Sequence, residues 1–268
     1  MNVLVVSDLS DAGLLSIEGV RACGRGTFDD LTILHVIDLD LYTAGGSVPA
    51  IREWASAETD RLASEMRAVG YRAQGRVEQG PVVETIHHVA EEIGADLIVM
   101  TNAGKSGRVL GRTAERLAAT ADRPVLVDRV ARVGEQWCRL GDRSLFDTVL
   151  AGVDFGPHAI EFMERVGRLP GLTHLIALHV ASDEEERMTS IAALGAAAAD
   201  MESPETIEVS SLTGDPVEML LTRADDLDVN AIAIAPSHHG AVGRAVLGSM
   251  ARRMLEEANR AVVLVPRG

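Results

Sequence analysis

The chain has 268 residues, room for one large domain or two of ordinary size. Only 3% of them are aromatic while 47% are hydrophobic, so the cores must be built from Ala, Val, Leu and Ile, which suits helices packed on parallel strands. A net charge of −15 argues against a nucleic-acid polymer or an anionic membrane as the main partner. A small nucleotide held by oriented backbone N–H groups stays compatible with it.

The N-terminal run MNVLVVSD reads as a buried strand ending at Ser7 and Asp8. It has no basic n-region and is too short for a signal peptide; no other apolar run reaches the length of a membrane span. The expected setting is therefore cytoplasmic. The spacing of Leu14, Ile17, Val20 and Ala22 predicts a helix over 10–24, followed by a second strand, Leu31-Thr32-Ile33-Leu34-His35-Val36. Further helices are predicted over 51–69, 82–93 and 113–121, and Leu97-Ile98-Val99-Met100 forms a strand between the last two. Trp54 and Trp137 are read as packing residues. Cys23 and Cys138 carry no pairing or zinc-binding signature.

After that strand stands Gly104-Lys105-Ser106, the tail of a Walker A phosphate loop in appearance only. The motif needs a glycine five positions before Gly104, where the first turn around the phosphates begins, and Val99 occupies that place.

The second half repeats the first. Val3–Asp8 returns as Val149–Asp154, and Leu31–Val36 returns within His174–Val180. Glu78–Glu84 is echoed by Leu212–Glu218, and Ala95–Met100 by Val229–Ile234. Leu110-Gly111 through Val127 is echoed by Leu247-Gly248 through Leu264. Helices are predicted over 157–169, 184–201, 216–227 and 249–259. A period this long signals domain duplication rather than a solenoid. Strand–helix alternation gives right-handed crossovers and parallel sheets. The expected architecture is α/β, with two flavodoxin-like doubly wound domains, each a five-stranded mostly parallel sheet with helices on both faces. Domain 1 is placed at 1–130, a linker at 131–145 and domain 2 at 146–268, with a separate sheet in each half.

Sites in such sheets lie beyond the carboxyl ends of the strands, where the strand order reverses. There fall Ser7, Asp8 and Val36 in the first half, and Asp154 and Val180 in the second. Asp8 is open to two readings, a ligand contact or a cap for the following helix. His35 and His179 read as sheet-end histidines satisfied by the core. His238-His239 carries no third metal ligand, and the Glu184-Glu185-Glu186 run reads as a helix start favoured by the dipole.

Taken together, VVSDLS with Asp8, AGVDFG with Asp154, LHV twice, the two Gly-Pro turns, and the endings LGRTAERLAATADRPVLV and LGSMARRMLEEANRAVVLV make each half similar to a universal stress protein domain. The chain thus resembles a tandem universal stress protein over nearly its whole length. The resemblance implies stress regulation rather than turnover, and an adenine nucleotide such as ATP, with no metal beyond its own Mg²⁺. It also implies halves joined through their last strands and helices, as an internal counterpart of the dimer formed by single-domain relatives. A homodimer and an unknown protein partner remain open.

The family's nucleotide-binding branch carries G-x2-G-x9-G-[ST] after the fourth strand, and both copies depart from it. In the first, Thr101 replaces the first glycine, Gly104 and Gly111 stand too close together, and Arg112, ahead of Thr113, replaces the expected Ser or Thr. In the second the length is kept, but Ala235 and His238 replace the first two glycines before Gly248-Ser249. Lys105, Arg108 and Arg112 offer compensating charge for phosphate. The alternative is a family member that has lost nucleotide binding and acts through protein–protein contact.

Overall fold

Asn2–Val6, four apolar residues after an asparagine, forms β1 at the centre of the first half. The computed structural model describes residues 1–24, 26–38, 48–102, 110–140, 144–236 and 247–266. After β1 come α1 (Asp11–Ala22), β2 (Asp30–Ile37), α2 (Val48–Ala68), β3 (Arg72–Gln79), α3 (Val82–Glu92), β4 (Leu97–Asn102), α4 (Arg112–Thr120) and β5 (Val125–Val133). The short β6 (Gln136–Arg139) follows. The second half then supplies β7 (Thr148–Gly152), α5 (Ala159–Gly167), β8 (His174–Ala181), α6 (Glu184–Ala199), β9 (Thr206–Thr213), α7 (Pro216–Asp226), β10 (Ala231–Ile234), α8 (Ser249–Glu257) and β11 (Ala261–Leu264). Each of the predicted helices falls within three residues of its observed bounds.

Within each half the strands are parallel, in the order β3-β2-β1-β4-β5 and β9-β8-β7-β10-β11. Both halves are doubly wound, and their order is the 3-2-1-4-5 of a Rossmann sheet rather than the flavodoxin order 2-1-3-4-5. The crossover direction reverses between β1 and β4, and again between β7 and β10.

The expectation of two separate sheets fails. β5 pairs antiparallel with β11, with Val127 opposite Val262, Leu126 opposite Val263 and Val125 opposite Leu264, so one sheet runs from β3 to β9. Two parallel units whose outer strands carry the buried apolar runs Val125–Val127 and Ala261–Leu264 gain more by pairing than by exposing unpaired backbone to water. Each unit nevertheless keeps its own reversal point. Because the seam is antiparallel, the carboxyl ends of the two halves face opposite edges of the sheet.

The segment expected to link the domains is also more ordered than a connection. β5 runs on to Val133, and β6 folds back on it with Val130 opposite Arg139 and Val133 opposite Gln136. The turn uses Gly134 at φ 64°. Arg139 Nε donates to the buried Asp128 carboxylate at 2.7 Å, and this pair lies against Gly19 of α1, where a β-carbon would stand 2.9 Å from the carboxylate. Burial pushes the Asp128 carboxyl above its ordinary range, opposed by the Arg139 guanidinium.

Side chains alternate across the sheet and build two apolar layers that both continue over the seam. Val3, Val5, Leu126 and Val263 lie in the layer with α1, α2, α5 and α6; Leu4, Val127, Val262 and Leu264 lie in the layer with α3, α4, α7 and α8. Arg129, 2% exposed, extends from β5 to the last turn of α8, donating to Leu255 O at 2.6 Å and Glu256 O at 3.3 Å. It thereby satisfies carbonyls that a helix end leaves without partners. Arg252 of α8 forms an ion pair with Glu115 of α4 across the same junction. Trp54, expected to pack, is instead 55% exposed.

Candidate functional site

At the reversal point of the first half, β1 ends in Ser7 and Asp8. Ser7 is buried; its N–H continues the sheet to Leu34 O at 3.0 Å and its hydroxyl accepts from Leu9 N at 3.1 Å. Asp8 Oδ1 accepts from Ser10 N at 3.0 Å and from the Ser10 hydroxyl at 2.6 Å, while that hydroxyl caps α1 by accepting from Gly13 N at 3.1 Å. A β-carbon at Gly13 would lie 2.2 Å from Asp8 Oδ1. Asp8, which is exposed, is thus tied to Ser10, and it is Ser10 rather than Asp8 that caps α1.

Thr101 and the buried Asn102 end β4, and Asn102 Oδ1 accepts from Gly111 N at 3.0 Å. This bond ties the start of α4 to the end of the strand. Gly111 is the N-cap residue at φ −67°, ψ 143° and gives α4 no side-chain cap; Arg112 and Thr113 open its first turn, Arg112 exposed. Val36 is half-buried against the layer that carries α3 and α4. Gly104, Lys105 and Arg108 lie outside the described residues.

The second half places its counterparts differently. Val153 N–H donates to Leu178 O at 2.9 Å, as Ser7 does in the first half, and Asp154, Phe155 and Gly156 follow, all exposed. A small cavity of about 70 Å³ opens at the reversal point between β7 and β10. Gly152, Asp154 and Pro157 line it on one side, and Ile234, Ala235 and Met250 on the other. On the opposite side of Asp154 lies a broad shelf formed by Phe155, His179, Val180, Ser182, Glu186 and Gly214. The two hollows share Asp154 and Gly156. Gly248 caps α8 without a side-chain bond, Ser249 opens the helix, and Met250 in its first turn reaches the cavity. His238 and His239 lie outside the described residues.

The paired histidines diverge as well. His35 and His179 both donate from Nδ1 to the carbonyl at the end of the central strand, to Ser7 O at 3.0 Å and Val153 O at 2.8 Å. Nε2 of His179 then lies 3.3 Å from Glu186 Oε1, whose other oxygen accepts from Ser182 N and from the Ser182 hydroxyl, both at 2.7 Å. Those Ser182 bonds, with His179 contributing less, hold the Glu186 carboxyl below its usual range. His35 Nε2 is buried and has no partner among the described residues. Reading Glu184–Glu186 as charges suited to a helix dipole missed this role of Glu186. The Asp183-x-x-Glu186 capping pattern was the available signal, and Asp183 indeed accepts from Glu186 N at 2.8 Å.

The turns before α3 and α7 are structural. Gly80 and Gly214 adopt φ of 152° and 144°, and Asp215 caps α7 ahead of Pro216 at its first position. Among the described residues, no group of three or more His, Cys, Asp or Glu is arranged to hold a metal ion, and no helix is long and apolar enough to cross a membrane.

A doubly wound half of this order, present twice in one chain with a hollow at its crossover, defines a class that comparison with known proteins narrows to one family. The universal stress protein family profile matches residues 1–129 and again 145–266. A universal stress protein of Methanocaldococcus jannaschii is 24% identical over 149 residues, covering 47% of this chain and 92% of that protein. A universal stress protein of Archaeoglobus fulgidus superposes with a TM-score of 0.70 at 20% identity, covering 100% of this chain and 98% of the other. A putative universal stress protein of Pseudomonas aeruginosa superposes at 0.66 and 17% identity, covering 99% and 93%. The chain belongs to the universal stress protein family, with two such domains in tandem.

Proposed function

We propose that this tandem protein is a stress-response regulator whose second half takes an adenine nucleotide at the junction of β7 and β10. The observation that carries this reading is the pair of hollows meeting at Asp154. The inner cavity has room for a phosphate-sized group, and the shelf beside Val180 and Gly214 offers an apolar rim for a flat base. Asp154 between them suits ribose hydroxyls, which donate to a carboxylate. The start of α8, uncapped by any side chain at Gly248, supplies N–H groups and a positive dipole end for the phosphates. Ala235 adds a β-carbon where the family motif has glycine, which narrows the approach and favours weak binding. Any Mg²⁺ would arrive with the nucleotide.

Calorimetry with ATP, ADP and AMP on the full chain tests the proposal. Heat that saturates, and that is lost in Asp154→Ala, supports it; no heat at millimolar ligand overturns it.

A second reading applies to the first half. There Asp8 Oδ1 already accepts from the Ser10 N–H and hydroxyl, and on this reading that half acts through contact with another protein rather than through a nucleotide. This predicts that Asp8→Ala leaves nucleotide heat unchanged.

A further inference from the structure

The sheet ends in two edge strands, β3 and β9, and they are treated differently. In β3 the N–H of the following Gly80 donates to Ile37 O, so residues of even number turn their backbone inward and Ala73, Gly75 and Val77 turn theirs outward. Those outward groups are covered. Arg67 Nη1 donates to Ala73 O at 2.6 Å and Arg52 Nη2 to Val77 O at 3.2 Å, both from α2. Between them, Gly75 lets the α2 backbone come so close that a β-carbon would lie 2.7 Å from Thr59 and 2.8 Å from Asp60. Charge protects the edge further, since Arg76 pairs with Glu78 and Glu92 and Arg72 with Asp30. Such covering is how an edge strand avoids pairing with foreign chains.

β9 has the same register but neither the covering arginines nor the glycine of β3; its one cross-strand charge contact is Glu208 Oε1 with His174 Nε2 at 3.1 Å. Thr206 N–H donates to Thr173 O, so Ile207 and Val209 turn their backbone outward, in the places of Ala73 and Gly75. No described residue donates to or accepts from those outward groups. Val209 puts a branched side chain where Gly75 admits α2, and α6 ends at Ala199 without an arginine over the edge. Further along, Ser211 is buried and its hydroxyl accepts from Ser190 of α6, which limits the open stretch to its first residues. Glu202, Glu205 and Glu208 stand exposed around that stretch.

We propose that the open edge of β9 receives an extended, lysine- or arginine-bearing segment of a partner protein by strand addition. Backbone ladder bonds at Ile207 and Val209 give the affinity, and the three glutamates select the charge. A second copy of this chain fits poorly, because pairing β9 with itself would bring two acidic rims together on molecules that each carry −15.

The test uses the full chain and two short capped peptides, one alternating lysine with valine and one alternating glutamate with valine. The lysine peptide is expected to bind and to slow amide hydrogen exchange at Ile207 and Val209, leaving Ala73 and Val77 unchanged. Val209→Pro, which removes an outward N–H at a place where an edge strand tolerates proline, should weaken binding about fivefold, the worth of one neutral hydrogen bond. Glu205→Lys with Glu208→Lys, which leaves the backbone intact, should reverse the preference between the peptides. Equal affinity for both peptides, protection at β3 instead, or no binding overturns the proposal. So does protection at Ile207 and Val209 without peptide in a chain that sediments as a dimer.

Discussion

Leu126 and Val263 lie directly opposite one another in the β5–β11 pairing, and they occupy the same position of the two repeats. Around them Val127 faces Val262 and Val125 faces Leu264, so each strand pairing at the seam has its mirror partner. That is the arrangement of an isologous interface, here built within one chain. Since both apolar layers cross this seam, the two halves should unfold as one cooperative unit.

The first prediction concerns the seam. Arg129→Met removes the donors that Leu255 and Glu256 rely on at the end of α8. It should cost about 1–3 kcal/mol, the penalty for leaving buried acceptors without partners. In urea titrations followed by circular dichroism, the wild type should show one transition. The variant should show a lower midpoint or a split into two steps.

Gly75 is expected to resist substitution for steric reasons far more than Gly13, because a β-carbon at Gly75 meets the backbone of Thr59 and Asp60, whereas one at Gly13 meets the end of the exposed Asp8 side chain. Gly13→Ala should turn Asp8 away from Ser10 and lower stability by less than about 1 kcal/mol. Gly75→Val should lift α2 from β3, seen as faster exchange of the β3 amides with the rest of the sheet unchanged. Loss of protection throughout the first half would contradict this.

Acid should weaken the fold in part through Glu186 and Asp215 of the second half. The folded-state pKa of each lies below its ordinary value. For Glu186 the cause is Ser182 first and His179 last; for Asp215 it is the Glu218 N–H, then Arg253. A depressed carboxylate pKa contributes stability that is present above the unfolded value and lost as pH falls through the folded one. Glu186→Gln should therefore lower the melting temperature slightly at neutral pH and flatten its decline below pH 4.5, the ordinary value for glutamate. An unchanged acid limb would show that the contact is spent on solvent.

Cys23 should react slowly. Burial pushes its thiol above the ordinary 9.0, opposed by hydrogen bonds from Leu145 and Ser144. Since the thiolate is the reactive form, alkylation at neutral pH should leave Cys23 unmodified in the folded chain, and urea should expose it.

Filling the inner cavity tests the ligand reading. Ala235→Leu should reduce nucleotide heat about tenfold while leaving the melting temperature near that of the wild type, because Ala235 is only half-buried at the cavity wall.

Much of this fold was legible in the sequence, because the signals were local and occurred twice. Continuous apolar runs marked the buried strands, and Ser10, Gly80-Pro81 and Asp215-Pro216 marked helix starts. The β6 hairpin was not legible, since Gln136–Arg139 is only four residues long, too short to show a period. Nor was the seam, because the apolar character of Val125–Val127 serves equally for an edge covered by a helix and for one paired with a strand. At the candidate site, Asp8 and Asp154 sit in equivalent stretches and read alike. What separates them in the structure is Ser10, which donates twice to the Asp8 carboxylate, whereas Asp154 borders a cavity with Gly156 and Pro157.

The reversed strand direction at β5–β11 means that the two rims look away from each other and share no common floor. Whatever occupies one cannot touch what occupies the other, so any message between them must travel sideways as strain across the ladder. Drift at one rim is correspondingly invisible to its twin, which lets a duplicated chain keep one inherited task while the spare copy wanders.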